Sequence, residues 1–204
     1  MKNALRFIAV AATLAAAANA HAVSDASNDF LASFTGAHVG ALDILSSDVR
    51  FDPTANAFLL HAHAASAIAG VNGAAYVFGF NRGGTANSPF GPIGEPGVSF
   101  NATATLRSNG TGSVGANAVP TTIAGNDIFA TVSASFLPSN GLDAKDFTWA
   151  LWSIDSTVAG LPRNADFAPD ANIRVAVVPE PETYALMAAG LAMLGVVLRR
   201  RRAA

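Results

Sequence analysis

The sequence contains no cysteine, and charged residues make up only 13% of it. Disulfide bonds, thiolate nucleophiles and cysteine metal ligands are therefore excluded, so any folded domain must be held together by its core. Basic residues are especially scarce in the middle of the chain. Between residues 23 and 178, twelve acidic residues stand against six basic ones, a net charge of −6. An acidic domain repels phosphate backbones, which argues against nucleic-acid binding.

The N-terminal end has the layout of a secretory signal peptide. Two basic residues lie within the first six, a mostly apolar run follows over residues 7–18, and Ala20-His21-Ala22 supplies small residues at the spacing of a signal-peptidase site. The run is too short for a good membrane span. We predict that residues 1–22 are a signal peptide cleaved after Ala22, with Ala20 as second choice, and that residues 23–177 form one exported domain.

The C-terminal end reads VPEPETYALMAAGLAMLGVVLRRRRAA. Residues 184–198 carry no charge and would form about 22 Å of helix at ~1.5 Å per residue, which is short for a hydrocarbon core of ~30 Å. Pro179 and Pro181 disfavour helical backbone at the residues before them, so an extended peptide should precede the helix. We expect Arg199, Arg200, Arg201 and Arg202 to stay in the cytoplasm as an anchor, by the positive-inside bias.

This tail resembles the PEP-CTERM sorting signal of Gram-negative bacteria, a region also labelled an ice-binding protein C-terminal domain. The resemblance covers residues 178–202: the motif itself, one transmembrane helix and the arginine cluster. It implies recognition by exosortase, an inner-membrane enzyme, then cleavage near the motif and release to the cell surface or extracellular matrix. It also implies a link to exopolysaccharide and biofilm. An ordinary C-terminal anchor is the alternative. The motif residues are Val178, Pro179, Glu180, Pro181 and Glu182.

Period-two alternation dominates the predicted exported domain. In IFATVSASF, Ile128, Ala130 and Val132 fall on one face and Thr131 and Ser133 on the other, and the same alternation is expected to continue to residue 136. Short runs of this kind between turn clusters predict an all-β fold, an antiparallel β-sandwich of the jelly-roll or Ig-like type. One short helix is allowed at LDILSSDV. Further strands are predicted over residues 41–51, 57–64, 74–80, 98–106, 147–154 and 172–178.

Few residues are candidates for chemistry. His61 and His63 would share one face of a strand and could supply two ligands to zinc, but a third ligand is needed and the domain's other histidine is His38. We therefore favour two exposed histidines on a polar face and predict no metal site. The carboxylates lack the spacing of a calcium loop, although a structural calcium stays open. No nucleophile or metalloprotease motif is present, so no catalytic residue and no cofactor are expected. A carboxylate pair assembled by folding stays open.

The aromatic residues offer one alternative function. In FTWALWSI, Trp149 should face the core, whereas Trp152 points the other way and could stack against a sugar. The opposing interpretation is that the long 81–97 loop covers Trp152. Two hypotheses follow for the domain: a structural or adhesive component of the surface or matrix, or a module that binds a matrix polysaccharide.

Overall fold

The computed structural model describes residues 22–179, 189–191 and 193. Residues 189–191 and 193 are helical, and every other regular element is a strand or a short 3₁₀ turn. The 3₁₀ turns are Gly40–Leu42, Gly91–Ile93, Ala134–Phe136, Ala144–Asp146 and Leu161–Arg163. The strands are β1 (Val23–Ser24), β2 (Ile44–Asp52), β3 (Ala57–Ala64), β4 (Ala74–Asn81), β5 (Ala102–Arg107), β6 (Thr111–Val114), β7 (Asn117–Ala124), β8 (Asp127–Ser133), β9 (Thr148–Asp155), β10 (Asn164–Phe167), β11 (Ile173–Arg174) and β12 (Ala176–Val177).

The strands form one continuous, curled sheet in the shape of a half-barrel. Its order is β1-β2-β3-β8-β7-β6-β5-β4-β9-β10, with β11 added to β9 and β12 added to β2. All pairings are antiparallel except that of β12 with β2. Strand β7 joins the two halves of the sheet, one that runs from β1 to β8 and one that runs from β6 to β10 in this order. Residues 117–120 of β7 pair with β6, and residues 121–124 pair with β8. The all-β, antiparallel prediction is confirmed. The sheet is continuous, and the finer jelly-roll or Ig-like sandwich stays a prediction.

The core fills the inside of the curl, where side chains from both halves of the sheet meet. Phe58 of β3 contacts Phe80 of β4 and Phe147, with ring centroids 5.4 and 5.6 Å apart. In β8, Ile128, Ala130 and Val132 are buried, as the alternation predicts. Tyr76, Phe78 and Phe80 of β4 are also fully buried and belong to this core.

The outer face of β4 and β9 is covered as well. A second apolar cluster there contains Trp152 and is closed by Phe90 and Val98 from the long loop and Phe167 from β10. Gly79 makes the close approach possible, since a Cβ atom at this position would lie 2.6 Å from Cζ3 of Trp152. Strands β4 and β9 are thus buried on both faces, which explains the mostly apolar runs at residues 74–80 and 149–152.

Several boundaries differ from the sequence-based expectation. LDILSSDV is strand rather than helix after a single 3₁₀ turn at Gly40–Leu42, and β8 ends at Ser133, where Ala134–Phe136 turns instead of extending. The predicted strand at 172–178 is divided into β11 and β12. Strands β6 and β7 were not predicted, because their glycine, asparagine and proline residues indicate turns.

Candidate functional site

The C-terminal segment leaves the sheet from one edge of β2. Val175 is buried and its amide donates to the carbonyl of Phe147 at 2.9 Å. Strand β12 then runs parallel to β2, and the amide of Val178 donates to the carbonyl of Phe51 at 2.9 Å. Pro179 follows immediately and is exposed. Since proline has no amide hydrogen, it cannot continue the ladder of hydrogen bonds. The sheet therefore ends where the sorting residues begin.

The same edge of β2 also holds the start of the predicted exported domain. Strand β1 pairs with β2 at Ser46 and Ser47, next to the residues that hold β12. Ala22 is described and exposed, whereas Ala20 and the rest of the predicted signal peptide lie outside the described residues. The two predicted processing positions, after Ala22 and near Pro179, thus flank the same edge strand.

Most of the predicted tail lies outside the described residues. This applies to Glu180, Pro181, Glu182 and Arg199–Arg202. Within residues 22–179, 189–191 and 193, no helix is long and apolar enough to cross a membrane. The transmembrane helix predicted over residues 184–198 therefore stays a prediction.

The two strand histidines share one carboxylate on the outer face of β3 and β8. His63 lies opposite Asp127 and His61 lies opposite Phe129 in the antiparallel register. Asp127 Oδ1 bonds to His61 Nε2 at 2.8 Å and to His63 Nδ1 at 2.9 Å. His38 does not join them, because it is stacked against Phe30 with ring centroids 4.5 Å apart. The structure thus gives both histidines the same acidic partner, which sequence spacing did not indicate.

These contacts change the acidity of the carboxyl group. Partial burial acts to raise the pKa of Asp127, but the hydrogen bonds from His61 and His63 outweigh it and lower the pKa below its usual 3.8. His61 also stacks on Phe129, with centroids 4.5 Å apart and the rings nearly parallel at 5°. Phe129 keeps 38% of its surface exposed. An aromatic face and hydrogen-bonding groups therefore lie side by side.

A groove runs along this outer face, which we call the Phe129 groove. Its volume is about 520 Å³. Arg50 lies within it, with its Nε 2.5 Å from a carboxylate oxygen of Asp48. The combination of one exposed ring with charged and hydroxyl groups is suited to a ligand that has both apolar faces and hydroxyls. The lining residues are Asp48, Arg50, Leu59, Leu60, His61, Pro120, Thr122, Phe129, Ala130 and Thr131.

Trp152 is not available as a sugar-stacking platform. Only 3% of its surface is exposed, and Phe90, Phe100 and Phe167 pack around the indole with centroid distances of 4.9, 5.0 and 5.8 Å. Trp152 borders a cleft of about 700 Å³, but it offers that cleft too little surface for stacking. The proposed role of Trp152 is corrected accordingly: the residue belongs to the second apolar cluster, under the 81–97 loop.

Two aspartates of the loop after β1 meet a third from strand β10 at the start of β2. One carboxylate oxygen from each of Asp25, Asp29 and Asp166 lies within 4.8 Å of the other two. Asp166 is buried, with Oδ2 accepting from the amide of Ile44 at 2.6 Å and Oδ1 accepting from the amide of Phe167 at 2.8 Å. We call these three residues the aspartate cluster. No sequence spacing indicates it, because only folding brings the loop after β1 against β10.

Burial and mutual repulsion make these acids weak. Burial raises the pKa of Asp166 from its usual 3.8 to about 8, and the charges of Asp25 and Asp29 add to the rise. Burial also raises the pKa of Asp25 to about 6, with contributions from the charges of Asp29 and Asp43. Without a positive partner, the fully ionised form of the cluster is therefore electrostatically unfavourable at neutral pH.

Comparison with known proteins supports the interpretation of the tail. Residues 177–202 match the family model of the PEP-CTERM protein-sorting motif. No curated protein matches the chain. The motif implies exosortase as the processing partner, export, and transient anchoring in the membrane before arrival at the cell surface. The chain therefore carries a PEP-CTERM sorting motif that begins at the last residue of β12, and this motif supports an exported protein that is sorted by exosortase.

Proposed function

We propose that the chain is a non-enzymatic component of the cell surface or extracellular matrix, with a structural or adhesive role. The observation that carries this proposal is the position of the sorting motif. The match begins at residue 177, the last residue of β12, and among the described residues the hydrogen bond from Val178 to Phe51 is the last one that joins the chain to the sheet. The folded domain is thus the cargo, and the motif follows it without a spacer.

The absence of a spacer has a mechanical consequence. A protease that grips an extended peptide needs several residues on each side of the cleaved bond. On one side it meets a folded edge strand at Val178, and on the other it meets the predicted membrane helix. We therefore propose that cleavage occurs with the domain held directly against the membrane face, and that Pro179 and Pro181 keep this short peptide extended.

The non-enzymatic assignment rests on the residues available. The sequence has no recognised nucleophile or metalloprotease motif, and the two strand histidines are engaged with Asp127. The link to exopolysaccharide and biofilm is part of the same proposal and rests on the sorting signal.

Cell fractionation tests this function. The wild-type chain and the variant with Pro179→Ala and Pro181→Ala are expressed in an exosortase-containing host. The wild type should reach the cell surface or matrix, whereas the variant should accumulate in the inner membrane, because no apolar residue of the tail has changed. Identical fractionation of the two proteins would count against the proposal.

As a second candidate function, we propose that the Phe129 groove binds a matrix polysaccharide. This function is favoured by the exposed ring of Phe129, stacked on His61 and flanked by polar side chains. Aromatic faces bind the apolar faces of sugars, while charged and hydroxyl groups bond to sugar hydroxyls. A pull-down with polysaccharide from the matrix should retain the wild type and Phe129→Tyr, and lose Phe129→Ala. Equal retention of all three would exclude this groove.

A further inference from the structure

The aspartate cluster has the geometry of a site for one cation. One oxygen from each of Asp25, Asp29 and Asp166 lies within 4.8 Å of the other two. Oxygens that bind one calcium ion at 2.3–2.6 Å can be at most about 5 Å apart, so three carboxylates of this cluster can reach the same ion. Two of the side chains come from the loop after β1 and the third from strand β10, so the fold brings two separate segments together at this point.

A fourth carboxylate beside the cluster has an oxygen without a partner. Asp43 is 2% exposed, and its Oδ2 accepts from the amide of Asn28 at 3.0 Å, within the loop that carries Asp25 and Asp29. Its Oδ1 is buried and has no hydrogen-bond donor among the described residues. Asp43 is also close enough for its charge to act on Asp25. A buried carboxylate oxygen without a donor is costly unless a cation or another donor satisfies it.

Positive side chains do not neutralise this group of acids. In the part of the chain that the structure describes, the ion pairs involve Asp48, Asp127 and Asp146, and none involves the aspartate cluster or Asp43. Like charges at this separation repel one another, and burial of Asp166 weakens the screening by water. The arrangement is therefore stable in the ionised form only with a bound positive charge.

We propose that Asp25, Asp29 and Asp166 bind one calcium ion, close to the buried carboxylate of Asp43. The ligand set consists of carboxylates alone, which suits a hard cation and excludes the soft transition metals that prefer sulfur or imidazole. Calcium accepts irregular oxygen geometry, whereas magnesium needs near-ideal octahedral ligands at 2.0–2.1 Å. An affinity of about 10⁻⁴–10⁻³ M is expected, as in extracellular calcium modules.

The bound ion would stabilise the loop after β1, the first loop of the exported domain. Besides the cluster, the loop is held by backbone bonds from Asp25 to Leu45 and from Leu31 to Ala165, at 2.9 and 2.8 Å. Calcium would join this loop to β10 through Asp166. A domain without disulfides would gain a crosslink in an environment where calcium is available.

Calcium binding can be measured directly on the full-length protein in detergent, stripped with EDTA and dialysed. Isothermal titration with CaCl₂ should show one saturable site per chain, and MgCl₂ should bind more weakly. With 10 mM calcium, the midpoint of thermal unfolding should rise by about 3–10 °C, given the expected affinity and a domain of this size.

Asp29→Asn is the most informative variant, because Asp29 is exposed and its replacement leaves the core intact. It should bind calcium at least tenfold more weakly, yet in EDTA it should be no less stable than the wild type, because a like charge has been removed. Asp25→Asn serves as a second ligand variant. Asp143→Asn, at an exposed acid outside the cluster, is the matched control and should behave like the wild type.

Three results would overturn the proposal. The first is no saturable calcium binding up to 10 mM. The second is wild-type affinity in both Asp29→Asn and Asp25→Asn. The third is magnesium affinity equal to that of calcium, which would contradict the choice of ion.

Discussion

Replacement of Trp152 by alanine tests whether this residue is part of the core. Trp152 is 3% exposed and packs against three phenylalanine rings at 4.9–5.8 Å. A buried aromatic side chain removes about 150–250 Å² from water, which at ~25 cal/mol per Å² is about 4–6 kcal/mol. Alanine keeps a small part of this burial, and truncation of a core Phe or Trp to alanine typically costs about 3–5 kcal/mol, so we expect a loss of about 3–5 kcal/mol in the free energy of unfolding.

Phe129→Ala is the matched control on the outer face of the sheet. Phe129 keeps 38% of its surface exposed, and its ring packs on His61 rather than into the core. We expect this variant to lose only about 1 kcal/mol. The relative size of the two losses is the important result, since truncation of a core residue costs much more stability than truncation of an exposed ligand platform.

Urea unfolding followed by far-ultraviolet circular dichroism measures both variants. The dichroism reports mainly the sheet and depends less on the number of tryptophans than fluorescence does. Midpoints and slopes are compared with those of the wild type, because an unchanged slope shows that stability alone has changed. A loss below about 1 kcal/mol for Trp152→Ala, or a larger loss for Phe129→Ala, would refute the assignment of Trp152 to the core.

Two further predictions follow from named contacts. Gly79→Ala should cost about 1–3 kcal/mol in thermal or urea unfolding, because its Cβ would lie 2.6 Å from the Trp152 ring, whereas Gly91→Ala, with nothing within 4 Å, should be neutral. The lowered pKa of Asp127 means that its contribution to stability is present above pH 3.8 and is lost as the pH falls through the lower folded value. Asp127→Asn should therefore be less stable than the wild type at pH 5, by about 1 kcal/mol or less for this partly exposed group, and the difference should shrink as the pH falls below 3.8; a difference that stays constant as the pH falls would contradict the argument.

The strands with simple alternation could be predicted from the sequence. The sequence predicts β3 at residues 57–64, where apolar residues alternate with histidines from Leu60 to Ala64. Strands β6 and β7 could not be predicted, since Gly112, Gly115 and Pro120 are residue types that are common in turns. Pro120 stands where β7 passes from β6 to β8, at the residue before the new pairing begins. This position depends on the topology of the sheet, which short-range patterns do not contain.

The candidate functional sites also include one that the sequence predicts and others that it does not. The sorting motif is a local signal, so its order and spacing could be recognised directly. The aspartate cluster and the pairing of Asp127 with His61 and His63 are products of folding, because each joins residues from different strands or loops. The burial of Trp152 depends on Phe90 and Phe167, whose arrival over the sheet no alternation pattern predicts.

Mass spectrometry of the C-terminus tests the central claim most directly. The wild-type protein is isolated from two strains of one host, with and without exosortase, and its terminal peptides are identified. With exosortase, the new C-terminus should lie near Pro179-Glu180-Pro181, next to the last hydrogen-bonded residue, Val178. Without exosortase, the chain should end at Ala204. An intact C-terminus at Ala204 in both strains would contradict the account and leave the tail as an ordinary anchor.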